Sequence, residues 1–298
     1  MLDARLKNPV LRKRARAFGR LVRHSAVTPR SGETHKPQLV ANGELGLTFI
    51  GHASFFVQIG GQNVILDPNF ARWLFVLKRL RKPGVQLRDL PPIDIVLVTH
   101  AHFDHLHRPS LRSIVHHSLR RNGKAPVIVV PHRVFDLVSD IGFSDVIELD
   151  WWESYRERGL TITHVPSRHW GARVIKDSYR GYGGYVLRSG QHSIYHAGDT
   201  AYFSGFREIG RRLAPELALL PIGAYNPPSF RNVHADPADA TRAFLDLKSR
   251  WMVPMHYGTF RLSHEPIEEP LQLLEKEARA AGIEDRVRVM EEGITQFF

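Results

Sequence analysis

Ile93-Asp94-Ile95-Val96-Leu97-Val98-Thr99-His100-Ala101-His102-Phe103-Asp104-His105 is the stretch on which the reading of this chain turns. From Ile93 to Thr99 it is apolar save for Asp94, the pattern of a strand buried on both faces. Directly beyond come His100, His102, Asp104 and His105. Residues two apart on an extended segment project to the same side, so His100 and His102 are placed to grip one metal ion. Asp104 and His105 come from the turn just beyond and are placed to grip a second. Imidazole and carboxylate donors suit zinc, with iron or manganese as substitutes. The chain has no cysteine, which excludes disulfides, a cysteine nucleophile and a structural zinc site built on thiolates. His107, His116 and His117 follow, and are expected on the surface or on a helix face.

Outward from this stretch the chain alternates short strands with helices. Leu47–Ile50, Ser54–Ile59 and Asn63–Asp67 are apolar or alternating runs, with Gly60-Gly61 marking a hairpin between the last two. Later strands are expected at Val127–Val130, Leu160–Val165, Tyr182–Leu187, Ser193–His196, Leu217–Leu220, Trp251–Met255 and Val287–Met290. Helices are expected at Ser110–Arg121, Phe203–Leu213, Pro237–Lys248 and Pro266–Ala281, with Asp236 as an N-cap. Strands first and helices inserted later suggest two packed sheets with helices outside. Further ligands should come from the ends of later strands. Ser167-Arg168-His169-Trp170, His196-Ala197-Gly198-Asp199-Thr200 and Met255-His256-Tyr257-Gly258-Thr259 all fit. Gly51-His52-Ala53-Ser54 lacks the Gly-x-Ser-x-Gly pattern of a nucleophile elbow, so His52 is expected to support a ligand through a hydrogen bond.

The 298 residues are 43% hydrophobic and 24% charged, close to globular averages, which argues against a largely disordered chain. The net charge of +11 is uneven. Residues 1–30 hold nine Lys/Arg and one acid, and residues 70–90 hold six against one, leaving the remainder slightly acidic. Residues 1–40 read as an extension to a domain spanning 41–298. Within the extension Leu11, Ala15, Phe18 and Val22 fall at helical spacing among arginines, a basic amphipathic helix. Such a helix lies in a membrane interface or packs on its own domain. Residues 28–38 read as a linker. No apolar h-region follows the basic residues and no run of 18 apolar residues occurs, so neither a secretory signal nor a membrane span is expected. The expected location is cytoplasmic, with visits to the membrane face.

Beyond the first motif, Leu90-Pro91-Pro92-Ile93-Asp94, Asp150-Trp151-Trp152-Glu153, Ala197-Gly198-Asp199-Thr200, Pro221-Ile222-Gly223-Ala224-Tyr225 and His256-Tyr257-Gly258-Thr259-Phe260 are distinctive. With them the chain resembles the metallo-β-lactamase superfamily, and within it the branch containing N-acylphosphatidylethanolamine-hydrolysing phospholipase D. The likeness covers roughly residues 45–298. It implies a four-layer αββα sandwich of mixed α/β (α+β) class with metals at one end of the sheets. It implies that His100, His102 and His169 bind one zinc, that Asp104, His105 and His256 bind a second, and that Asp199 bridges them. His234 matches a further active-site histidine of the branch. Phe103 stands where the branch has a tyrosine.

The resemblance implies hydrolysis of a phospholipid phosphodiester, releasing an N-acylethanolamine and phosphatidic acid. Asp104 and Asp199 would act in catalysis, and His234 would stabilise or protonate the leaving group. Peripheral contact with an anionic membrane is expected through residues 1–30 and 70–88. There Phe70, Trp73, Leu74, Phe75, Val76, Leu77 and Leu80 are interleaved with Arg72, Lys78, Arg79, Arg81 and Lys82. The competing activities are a soluble lactonase of the ascorbate-6-phosphate type and an RNA-processing nuclease. The latter lacks an aromatic stacking platform of recognisable type, so no nucleic-acid partner is favoured. Self-association is compatible with the sequence.

Overall fold

The computed structural model describes residues 9–41, 43–174 and 176–298, with backbone alone for 9–15 and 17. One sheet has seven strands in the order β15-β1-β2-β3-β6-β7-β8. These are β1 (Gly46–Gly51), β2 (Ser54–Ile59), β3 (Gln62–Leu66), β6 (Ile95–Leu97), β7 (Val127–Pro131), β8 (Asp145–Leu149) and β15 (Thr295–Phe297). The other has six strands in the order β14-β13-β12-β11-β10-β9. They are β9 (Ser154–Glu157), β10 (Leu160–Val165), β11 (Gly184–Ser189), β12 (His192–His196), β13 (Leu217–Pro221) and β14 (Trp251–Met255). A small hairpin, β4 (Trp73–Leu74) with β5 (Leu77–Lys78), stands apart.

Period-two alternation explains the layering. Leu47, Phe49, Phe55, Val57, Val64, Leu66, Ile95, Leu97 and Val129 point inward, onto Ile162, Tyr185, Leu187 and Leu219 of the second sheet. Their neighbours Ile50, Phe56, Ile65, Val96, Val98, Ile128 and Val130 point outward, onto Leu111, Ile114 and Val115 of helix α2 (Arg108–Asn122). Strands of the first sheet are thus buried on both faces, as their continuous apolar runs require. Phe206 and Ile209 of α3 (Gly205–Leu213), Ala240 and Phe244 of α4 (Pro237–Leu247), and Leu274 and Ala278 of α5 (Glu269–Ala281) cover the second sheet. The result is the αββα sandwich. Parallel pairing of β3-β6-β7-β8 and of β12-β13-β14 points several strand C-termini to one end, where the loops that follow collect the titratable side chains.

Three expectations are corrected. Val287–Met290 is not a strand: Val287 makes a single bridge to Met252, after which Val289 turns outward. His117 does lie on a helix face, but on the buried one, its Nε2–H donating to Leu90 O at 3.0 Å, and His107 precedes α2 as its N-cap, accepting from the Ser110 N–H. Arg79, expected to face a membrane, is wholly buried and donates to the carbonyls of Asn69, Ile50 and Arg81. Leu74 and Leu80 are buried with it.

Helix α1 (Pro9–Val27) packs against the hairpin. Leu21 and Ser25 are buried, Ser25 Oγ donates to Lys78 O and accepts from Lys78 N, and Lys78 Nζ donates to the carbonyls of Ala26 and Thr28. Arg16, Arg20, Arg23 and Phe18 stay exposed. The Leu11 and Ala15 side chains lie outside the described residues, as do Arg5 and Lys7. Residues 28–38 lie along the domain. Ser31 pairs with Arg81, His35 N donates to Gly84 O, and Gln38 N donates to Thr295 Oγ1. No helix among the described residues is long and apolar enough to cross a membrane.

Candidate metal centre

The loop after β6 delivers His100, His102, Asp104 and His105. The loop after β10 delivers His169, the end of β12 delivers Asp199, and the end of β14 delivers His256. Two clusters result. His100, His102, His169 and Asp199 offer donor atoms all within 4.8 Å of one another, and so do His52, Asp104, His105 and His256. In the first, His102 Nδ1 lies 2.9 Å from His100 Nε2 and 3.2 Å from His169 Nε2. In the second, Asp104 Oδ2 lies 3.6 Å from both His105 Nε2 and His256 Nε2.

Asp199 stands between the clusters. Its Oδ1 is 3.3 Å from His105 Nε2, and its Oδ2 is 3.2 Å from His256 Nε2, 3.8 Å from His169 Nε2 and 4.0 Å from His100 Nε2. His234 Nε2 is 3.5 Å from the same Oδ2. Every residue of the expected set therefore meets in one pocket. Gly198 makes this approach possible: its φ is +60°, and a Cβ there would sit 2.8 Å from Gly183 O.

The chain's own hydrogen bonds fix which nitrogens face inward. The Thr99 hydroxyl donates to Asp67 Oδ2, so it can only accept from His100 Nδ1. His105 Nδ1 donates to Asp67 Oδ2 at 2.7 Å, and His169 Nδ1 donates to Val233 O at 2.9 Å. All three rings thereby turn Nε2 toward the pocket, where the neutral ring offers a lone pair. His52 Nε2 donates to Asp104 Oδ2 at 3.0 Å, the supporting role expected of it. Asp67 was not singled out from sequence, although an acid closing an alternating strand was a signal for it. Its buried carboxylate also accepts from Thr99 N and so holds both the motif and His105. Trp170 walls the first cluster, its ring 4.3 Å from His169 and 4.7 Å from His102.

Electrostatics mark this as a site for cations. Burial would raise the pKa of Asp199, yet the His256 and His105 charges hold it well below the usual carboxylate range. Burial acts likewise on Asp104, and His105 and His256 hold it down. Burial would lower the pKa of His256, but Asp199 and Asp104 push it up to about 9. His105 is raised well above its ordinary value by the same carboxylates, against its burial. His100 and His169 are held well below theirs, by burial first. His105 Nε2, His256 Nε2 and Asp199 Oδ1 are buried without a hydrogen-bond partner. Buried polar atoms left so, on imidazoles aimed at two carboxylates, fit divalent cations well.

A family model described as the beta-lactamase superfamily domain matches residues 62–257. The chain belongs to the beta-lactamase superfamily. Within this superfamily it is 32% identical over 266 residues to the mitochondrial N-acyl-phosphatidylethanolamine-hydrolyzing phospholipase D of Saccharomyces cerevisiae, covering 84% of this chain and 55% of that protein. It is also 32% identical over 251 residues to a UPF0173 metal-dependent hydrolase of Methanopyrus kandleri, covering 83% of this chain and 97% of that one. Among solved structures, the metallo hydrolase Igni18 of Ignicoccus hospitalis superposes with a TM-score of 0.65 at 27% identity, covering 86% of this chain and 98% of that one. The superfamily assignment, the fold and the two clusters make this chain a metal-dependent hydrolase.

Proposed function

We propose that this hydrolase is a phosphodiesterase of phospholipase D type acting on a phospholipid such as N-acylphosphatidylethanolamine. The observation that carries the reading is an apolar groove of about 1230 Å³, one of whose lining residues, Phe230, packs near His234. Phe18, Leu21 and Val27 of α1 form one wall, and Phe230 and Leu262 the other, with Arg23 and Arg261 among its polar groups. Phe230 links the groove to the site, its ring centroid 6.2 Å from that of His234. A lipid with its acyl chains in the groove would bring its phosphate to the metal centre, and the arginines suit that anion. The likeness to the yeast phospholipase D supports the same substrate class.

His100, His102 and His169 would hold one cation, and Asp104, His105 and His256 the other, with Asp199 shared. Zinc suits this donor set, with iron or manganese as substitutes. A cation pair held there would lower the pKa of a bound water and would neutralise negative charge on phosphoryl oxygens. His52 holds Asp104 in place, and Asp67 keeps His105 in the tautomer that turns Nε2 inward. His234, whose Nδ1 is buried without a partner, would give a proton to the departing alcohol.

The substrate would be drawn from an anionic membrane. Exposed Arg16, Arg20 and Arg23 would meet its phosphates, and Trp73, Phe75 and Val76 at the hairpin would enter the headgroup boundary. The test is a parallel assay of purified protein on N-acylphosphatidylethanolamine vesicles, a soluble lactone and precursor tRNA. Release of N-acylethanolamine and phosphatidic acid is expected. Turnover of the lactone or the RNA without turnover of the lipid ends the proposal.

A further inference from the structure

Arg173 lies in the loop after β10 and belongs to neither cluster. Its Nη1 donates to Ala101 O at 2.8 Å and to Leu106 O at 3.0 Å. Those carbonyls bracket the segment that carries His102, Asp104 and His105, one residue of the first cluster and two of the second. The guanidinium also stacks 3.9 Å from the Phe103 ring centroid, in the middle of that segment. Among the described residues no carboxylate lies within ion-pair distance of Arg173. Its charge is spent on two carbonyls and a ring, and partial burial lowers its pKa to about 10. A cation set against a cation-binding loop is repelled by what the loop holds. Its position there calls for a role that outweighs this cost.

We infer that Arg173 is a positioning residue for the metal centre: by joining Ala101 O to Leu106 O across the loop and stacking on Phe103, it holds His102, Asp104 and His105 in the geometry that takes up both cations. Loops left to themselves sample many conformations, and each bond that closes one lowers the entropy a ligand must remove. Partners that orient metal ligands are typically worth ~10–100-fold in metal affinity. The inference rests on the metal centre and is independent of the substrate.

The experiment compares wild type, R173K and R173M, loaded with Co²⁺ alone. Affinity is read by chelator competition, coordination by the visible Co²⁺ spectrum, and the fold by thermal melting of the metal-free protein. Lysine keeps the charge and N–H donors that can reach the carbonyls, whereas methionine keeps only the stem. R173M is expected to lose ~10–100-fold in affinity with an altered spectrum and a melting temperature close to wild type. R173K is expected to recover most of the affinity. Wild-type affinity and spectrum in R173M overturn the inference. So does a loss in R173M matched by an equal fall in stability of the metal-free fold. Should R173M fail to fold, F103L, which removes the stacking surface, takes its place: a Co²⁺ affinity and spectrum unchanged from wild type in F103L overturn the inference as well.

Discussion

Metal uptake by this centre must expel protons. In the metal-free protein His256 is pushed up to about 9 by Asp199 and Asp104 against its burial, and His105 is raised well above 6.5 by the same carboxylates. Both rings are therefore cationic at pH 7. A ligand imidazole has to be neutral, so cation binding at pH 7 should release about two protons per protein. For His256 the deprotonation at pH 7 lies about two pH units below its pKa, a cost of about 3 kcal/mol or ~100-fold in affinity. The sign follows: affinity should rise with pH, about tenfold per unit for each proton lost, and His256 should stop contributing above pH about 9. The assay is calorimetric titration of the metal-free protein with Zn²⁺ in buffers of one pH and different ionisation enthalpies, repeated from pH 6.5 to 8.5. Asp104→Asn removes one of the two carboxylates that keep the proton on His256, and the imidazole resonances of the metal-free variant should report a lower pKa for that ring. Release of less than half a proton at pH 7, or an affinity flat across this range, refutes the argument.

Asp199→Asn should abolish turnover, because one carboxylate touches both clusters, while circular dichroism of the variant stays native. Dialysis against a chelator should remove activity and readdition of Zn²⁺ restore it, read by product formation against metal content. Burial holds His164 down to about 4, so the unfolded chain binds its proton first and stability falls as pH drops from 6.5 toward 4. Between pH 7.5 and 5.0 wild type should therefore lose about 2 kcal/mol more than His164→Leu in urea unfolding. Sedimentation with anionic vesicles should weaken on raising salt to 0.5 M and again in Phe75→Ala, since three exposed arginines are worth about 3 kcal/mol near such a surface and are screened by salt.

What the sequence determined by itself was whatever depends on near neighbours. The strands Ser54–Ile59, Leu160–Val165 and Trp251–Met255 were legible to the residue, because alternation and apolar runs are local consequences of burial. So was the first motif, since one turn after one strand brings His100 to His105 together without help from the rest of the chain. Short edge strands were not legible: β9 and β15 are polar and brief, and each exists only because β10 or β1 offers it a ladder. His169, Asp199 and His256 were legible as candidates at strand ends, but their assignment to particular cations came with the resemblance, for nothing local says which strand ends share a side. Only the tertiary structure decided that Asp67 fixes the His105 tautomer and that Arg173 closes the motif loop. It also decided that Arg79, placed by composition on a basic surface, lies inside. There it is satisfied by three carbonyls brought from different segments, and long-range packing alone can assemble such a set of partners.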